Sequence, residues 1–287
     1  MKNLVIKEPK TYGEYRYIEM IQKDAWGASD IDITPTHVCV ATHLAGGCVY
    51  IAYLDSKPVG FVLGLVGIEN GQIFLHSHQL GVIREAQNKS IGFLLKLKQR
   101  EYAQNMGVDL IKWTFDPLQS KNAYFNFNKL GVVCGRYIVN LYGEIRDEMN
   151  RGLPTDRFYV EWYISSDRVK RRIECEKPPL FEKISWLPVV TYVTIRKGVK
   201  ILEKYDIDVD EDFVLVEIPA NFARIRNVSL DLAVNWRIKT REIFSEYFGR
   251  GYVAIDIVTN SRRDRFFYVL ARINLNKLLK ENWWEII

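Results

Sequence analysis

Residues 74–107 read FLHSHQLGVIREAQNKSIGFLLKLKQREYAQNMG. An apolar, alternating run ends at Leu80-Gly81-Val82, a polar loop fills residues 84–90, and a helical pattern starts at Ile91-Gly92. Strand, polar loop and helix N-terminus in that order make an anion site, because backbone N–H groups and the helix dipole point the same way. The stretch therefore names a ligand class, a phosphate-bearing cofactor, before any catalytic side chain is considered. Simple alternation places His76 and His78 on one strand face with Phe74 and Leu80.

The surrounding chain supplies the elements such a unit needs. A helix or helix pair is expected over residues 12–26, with Tyr15, Ile18 and Ile21 at helical spacing. Residues 49–54 and 59–66 are β-rich and flank the turn signal Asp55-Ser56-Lys57-Pro58. The helix over 91–106 has an apolar stripe of Ile91, Leu94, Leu95, Tyr102 and Met106, interrupted by Lys98, and Gly107 stops it. A strand over 110–115 is broken by Asp116-Pro117, a short helix covers 120–129, and another strand follows over 132–141. Strands and helices that alternate behind a leading hairpin argue for an α/β chain with a mixed sheet.

Bulk properties narrow the class. With 287 residues, the chain can form one large or two ordinary domains. Its 48% hydrophobic and 26% charged residues are those of an ordinary globular protein, and the net charge of +5 suits an anionic cofactor without calling for nucleic acid. Cys39, Cys48, Cys134 and Cys175 are scattered with no C-x-x-C pair, so neither a metal site nor a disulfide framework is expected. The start MKNLVIKEPK lacks the apolar core of a signal peptide, and the longest apolar run, residues 58–68, falls short of the about 20 residues that span a bilayer. The expectation is a cytoplasmic protein. Neither Ser-His-Asp, Walker nor H-E-x-x-H patterns are present.

Gln87-Asn88-Lys89-Ser90-Ile91-Gly92 resembles the Q/R-x-x-G-x-G/A loop of the GNAT acetyltransferases, with Ser90 in place of the first glycine. If that position needs a positive φ, the serine is strained. The hairpin AYLDSKPVGFVLG and the segment NAYFNFNKLG are similar to the family's central hairpin and second helix. HSHQLGV, WTFDPL, NAYFNFNKLG and RFYVEWYI together resemble a two-part branch of predicted GNAT acetyltransferases. The resemblance covers about residues 1–165. It implies a GNAT-like acyl-CoA N-acyltransferase domain over 1–165, followed by a second, smaller α/β domain over 166–287. It implies acetyl-CoA, or another acyl-CoA, as cofactor. The pyrophosphate would lie on residues Gln87, Asn88, Lys89, Ser90, Ile91 and Gly92, the thioester and pantetheine on the main chain of Leu80, Gly81 and Val82, and a further pantetheine contact on Asn122.

Direct transfer of an acyl group to an amine needs a polarised carbonyl, a proton acceptor and a donor for the departing thiolate. His78, with His76 beside it, is a candidate base, or the two are a buried hydrogen-bonded pair. Asp116 stands at a strand end, where α/β ligand sites gather, yet Asp before Pro117 also forms turns. Glu161, a charge inside an apolar strand, either lines a pocket or pairs with an arginine. The tyrosine that protonates the thiolate in many of the family's enzymes is matched here by Phe127, which has no proton to give. Either the thiolate leaves without a side-chain acid, or Tyr124, about one helical turn earlier, or water supplies the proton, or acetyl transfer does not occur.

From about residue 165 the texture changes. Residues 168–172 and 174–179 read as a solvated connection, and strands over 187–195, 213–218, 252–258 and 266–273 surround a long helix at 230–248. The passage IKTREIFSEYFGRGYVAIDIV loosely echoes LKQREYAQNMGVDLIKWTF, so this half is either an ordinary α/β unit or a degenerate second acetyltransferase-like half. No loop of the cofactor type precedes it. The basic runs at 168–172 and 262–265 do not amount to the basic face of a nucleic-acid binder. Three roles stand: an acyl-CoA-dependent N-acetyltransferase acting on a small-molecule or peptide amine, a non-catalytic CoA-binding scaffold, and a partner or homodimer interface in the second half.

Overall fold

The computed structural model describes residues 3–143, 152–196 and 198–287. The chain divides into two compact units, Met1–Trp113 and Thr114–Ile287.

In the first unit five strands lie side by side in the order β1 (Leu4–Lys7), β2 (Cys48–Leu54), β3 (Lys57–Glu69), β4 (Gln72–Val82), β5 (Leu110–Phe115), the last two residues of β5 belonging to the second unit. Every pairing is antiparallel except β4 with β5. Helix α1 (Tyr12–Trp26) is started by a capping box, in which Thr11 and Glu14 satisfy each other's exposed amides, and ends at left-handed Gly27. Its Tyr15, Ile18 and Ile21, with Cys39 of α2 (Thr36–Leu44), bury Val49, Ile51, Phe61 and Leu63 on one sheet face. Helix α3 (Ile91–Asn105) covers the other face. Its buried side chains are Ile91, Leu95, Lys96, Gln99 and Ala103, whereas Met106 is exposed. The core stripe thus contains two polar residues that the apolar count passed over.

The second unit holds a sheet in the order β7 (Arg157–Tyr163), β6 (Val133–Ile138), β11 (Val253–Thr259), β12 (Arg265–Ala271), β10 (Phe213–Pro219), paired antiparallel, with β8 (Thr191–Arg196) and β9 (Val199–Tyr205) as a separate hairpin. Its helices are α4 (Ser120–Tyr124), α5 (Asp167–Ile173), α6 (Phe222–Val228), α7 (Leu230–Gly249) and α8 (Leu275–Lys280). The helix expected over 120–129 is split: α4 passes into a π-helical turn over Phe125–Leu130, closed by left-handed Gly131.

Residues 168–172 are not a solvated connection. Spaced by four in α5, Arg168 and Arg172 both turn inward and are 2% and 3% exposed. Arg172 ion-pairs with buried Asp256, which also accepts from Asn128 at 2.9 Å and Trp283 at 2.8 Å. Arg168 donates to the carbonyls of Gly131 and Ile255. Lys170 stays exposed. A basic run on a helix splits by face, and composition alone hides the split.

Candidate functional site

The site is built on a fork in the first unit. Parallel pairing of β4 with β5 is confined to Leu75–Ile111 and His76–Lys112, although β4 continues to Val82. On its other side β4 stays zipped to β3 as far as Gly60–Val82. The Ile83 N–H donates to the Val59 carbonyl at 2.9 Å. Main-chain groups alternate along a strand, so those of Leu80 and Val82 turn the other way, to the edge that β5 has left. The side chain of Gln87 folds back onto the Val82 carbonyl at 3.2 Å.

A β-bulge marks the parting. Leu63 pairs with Gln79 and Gly64 with Ser77, which leaves His78 as the extra residue. The bulge also corrects the alternation read from sequence. Ser77 reaches Lys96 of α3, and beyond the bulge it is Leu80 and Val82 that lie against Gly92 of α3. Leu80 therefore faces α3 and does not share a face with His76, because one inserted residue reverses the parity of everything after it. The rings of His76 and His78 remain neighbours, with centroids 6.2 Å apart. Burial pushes the His76 imidazole down to about 4, with a smaller contribution from its neighbours His78 and Lys96; desolvation also lowers His78, although the residue is exposed. Both are neutral at pH 7 and can accept a proton, His76 only weakly.

The loop after β4 is tethered to α1: the Arg84 N–H donates to Asp24 Oδ1 at 2.7 Å and its Nε to the Asp24 carbonyl at 2.9 Å. Gln87, Asn88, Lys89 and Ser90 are exposed. Asn88 and Ser90 are left-handed, with φ of 61° and 56°. Ser90 thus occupies the conformation that glycine would take without strain. It is the N-cap of α3, yet its hydroxyl makes no capping bond, and the first intrahelical bond runs from the Leu94 N–H to its carbonyl. The amides of Ile91, Gly92 and Phe93 therefore open the helix uncapped. A side chain at Gly92 would place Cβ 3.3 Å from Leu80 Cδ2, so the glycine lets the helix start sit against the end of β4. By contrast α7, the long helix of the second unit, is capped by Ser229 through the Leu232 N–H. An edge of main-chain groups that no strand pairs, leading to an uncapped helix start, fits a ligand with an extended amide-bearing arm and a pyrophosphate.

Asp116, Asn122, Tyr124 and Glu161 belong to the second unit. Asp116 is not a free carboxylate. Arg237 takes both oxygens at 2.7 Å, and Oδ1 also accepts the Leu118 N–H at 2.9 Å, as a turn former does. Burial alone would raise its pKa, but the Arg237 guanidinium outweighs burial and holds it below the usual carboxylate value. Asn122 is exposed at the third position of α4, and Tyr124 is half-buried at its end. Glu161, half-buried in β7, accepts from the Tyr163 hydroxyl at 2.9 Å. Phe127 is fully buried, edge-on to Tyr268 at 5.6 Å and Phe115 at 6.4 Å, so it is a core residue.

The sequence reading missed Lys96. It is 3% exposed, and its Nζ donates to Ser77 Oγ at 2.6 Å and Gln99 Oε1 at 3.1 Å and lies 3.6 Å from the centre of the Trp113 ring. Burial lowers its pKa to about 7.

Among the described residues, no cluster of His, Cys, Asp or Glu could hold a metal ion, and no helix is long and apolar enough to cross a membrane. No family model and no curated protein matches the chain. Among solved structures, Arabidopsis thaliana Naa50 in complex with the bisubstrate analogue CoA-Ac-MVNAL is 16% identical, over 55% of this chain and 97% of that one, with a TM-score of 0.44. The ribosomal-protein-S18-alanine N-acetyltransferase of Escherichia coli is 13% identical, over 56% and 94%, with a TM-score of 0.46. A GNAT-family acetyltransferase of Streptococcus pneumoniae is 14% identical, over 55% and 98%, with a TM-score of 0.43. The chain is similar to solved GNAT acetyltransferases.

Proposed function

We propose that the protein is an acyl-CoA-dependent N-acyltransferase that moves an acetyl or other acyl group to the amine of a small molecule or peptide. The observation that carries this is the fork: β4 leaves β5 at His76, and its unpaired edge leads to the uncapped start of α3. When bound, acyl-CoA supplies the acyl group already activated as a thioester. The amides of Ile91, Gly92 and Phe93, with Lys89 beside them, would hold its pyrophosphate. The main chain of Leu80 and Val82 would orient the arm and polarise the acyl carbonyl, while Gly81 between them leaves room for the Phe61 ring, which a Cβ there would meet at 2.7 Å. His78, neutral and at the bulge, is the candidate to take the proton of the attacking amine. Asn122 as a pantetheine contact, Tyr124 as proton donor and Glu161 as a polar pocket group stand as further proposals. Asp116, clamped by Arg237, serves better as a structural anchor than as a base.

A calorimetric titration of the full chain with acetyl-CoA and with CoA tests the reading, and absence of binding to both would overturn it. The second reading, a CoA-binding scaffold without turnover, draws support from Phe127, which is locked in the core where a proton donor would be wanted. Reproducible transfer to any member of a broad amine panel rejects the scaffold.

A further inference from the structure

The first rung that β4 and β5 fail to make is Ser77 with Trp113, one step beyond His76 with Lys112. A single side chain touches both of those residues. Lys96 of α3 donates to Ser77 Oγ at 2.6 Å, and its Nζ lies 3.6 Å from the centre of the Trp113 ring. Gln99, one turn further along α3, accepts from the same amine at 3.1 Å and passes its own amide to Cys48 Sγ at 3.7 Å. Ser77, Lys96, Gln99, Trp113 and Cys48 are all buried, between 0% and 6% exposed.

A buried lysine is an expensive choice for a core that leucine could fill. Its three hydrogens do what an apolar side chain cannot. They join one helix to two strands at the point where the strands part, with a directed bond to one arm and a cation–π contact to the other. Ser77 immediately precedes the bulged His78, so the same amine also fixes the strand just before the bulge.

We infer that Lys96 is a positioning residue of the fork, its amine bridging Ser77 and Trp113 so that β4 and β5 stay parted at one spacing and the bulge at His78 stays in register. This inference rests on the proposed acyl-CoA reading for its functional consequence, but the bridge itself does not. Burial also lowers the pKa of the amine to about 7. The groups that bear on it are Ser77 and His76 on β4, Cys48 on β2, Gln99 on its own helix and Trp113 on β5.

The test uses full-length wild type, Lys96→Met and Ser77→Ala, first without ligand. Amide hydrogen exchange at residues 77–80 is expected to quicken about tenfold in Lys96→Met, since a hydrogen bond from a charged group to a buried partner is lost. The NMR signal of Lys96 Cε, assigned by its absence from Lys96→Met, is expected to titrate near pH 7, as a structural lysine on the surface would not. Calorimetry with CoA then reads the consequence: affinity about tenfold weaker in Lys96→Met, with the KM for acyl-CoA rising more than kcat falls. The pH dependence of wild-type affinity between pH 6 and 8.5 is expected to flatten in the same variant. Should Lys96→Met not fold, Ser77→Ala carries the test, with the same quickening of exchange at residues 78–80. Exchange unchanged in whichever variant folds would overturn the inference. A wild type that binds no CoA would instead overturn the acyl-CoA reading, while the exchange data still decide the bridge.

Discussion

Arg237 grips Asp116 with both arms of its guanidinium, Nη1 to Oδ1 and Nη2 to Oδ2, each at 2.7 Å. The two residues are 121 apart in sequence and both are buried, so the pair staples α7 to the turn after β5 within the second unit. Asp116→Ala leaves a buried guanidinium unpaired and should destabilise the protein by about 3–5 kcal/mol in urea denaturation. The pH sign follows from the depressed pKa. The unfolded carboxyl titrates near 3.8, so the pair's stabilisation is full above that value and is lost as pH falls through the lower folded pKa. Wild type should therefore lose more stability than Asp116→Ala below pH 4. Equal acid sensitivity of the two proteins would contradict the assignment.

Gly92→Glu separates folding from binding. An acidic residue in the first turn of a helix interacts favourably with the dipole, by about 0.3–1 kcal/mol, so thermal stability should hold. The added Cβ presses Leu80 Cδ2, the end of a flexible side chain that can shift. A negative charge at the uncapped amides repels a pyrophosphate, and CoA affinity should fall on the order of 100-fold. Calorimetry at matched salt measures it; a variant that folds and binds like wild type would remove the loop from the site.

Ser90→Gly should be stabilising. Ser90 sits at φ 56° and ψ 10°, where a Cβ is disfavoured by about 1–2 kcal/mol, and its hydroxyl earns no capping bond in return. Part of that gain is offset by the greater freedom of glycine in the unfolded chain, which leaves about 1 kcal/mol in denaturant melts. If the hydroxyl adds a phosphate contact, CoA affinity falls by several-fold while stability rises, since one hydrogen bond is worth about 1 kcal/mol. A loss of stability would show that the left-handed conformation is not the native one.

What the sequence shows and hides follows from the range of each interaction. The strand, loop and helix of residues 74–107 are legible because turn residues, helix stops and apolar periodicity are local signals. The Gln87-to-Gly92 spacing carries the family resemblance for the same reason. The bulge at His78 is invisible to alternation, because it is a property of pairing with β3 and leaves no mark in β4 itself. Asp116 reads as a turn former from Pro117 beside it, and it is one, but its partner Arg237 lies in a distant helix that no local pattern connects to it. Arg168 and Arg172 read as solvated until a buried Asp256 is known to face them. Lys96 is hidden by the assumption that a lysine marks the wet side of a helix, which fails wherever buried partners satisfy the amine.

Lys96 also makes a stability prediction independent of any ligand. Its pKa falls from 10.5 in the unfolded chain to about 7 in the folded one. Between those values the unfolded state binds more protons than the native state, so wild-type stability rises with pH. Below about pH 7 the amine is charged in both states and the full burial penalty applies. The slope contributed by one such group is at most about 1.4 kcal/mol per pH unit. In Lys96→Met the term is absent. The difference in unfolding free energy, wild type minus Lys96→Met, should therefore be flat below pH 6, climb from about pH 7, and keep climbing toward pH 10. Paired urea melts at pH 6, 8 and 9.5 measure it. A difference that does not change with pH would mean that Lys96 keeps an ordinary ammonium in the folded protein, and that the partners at the fork hold its charge as well as water does.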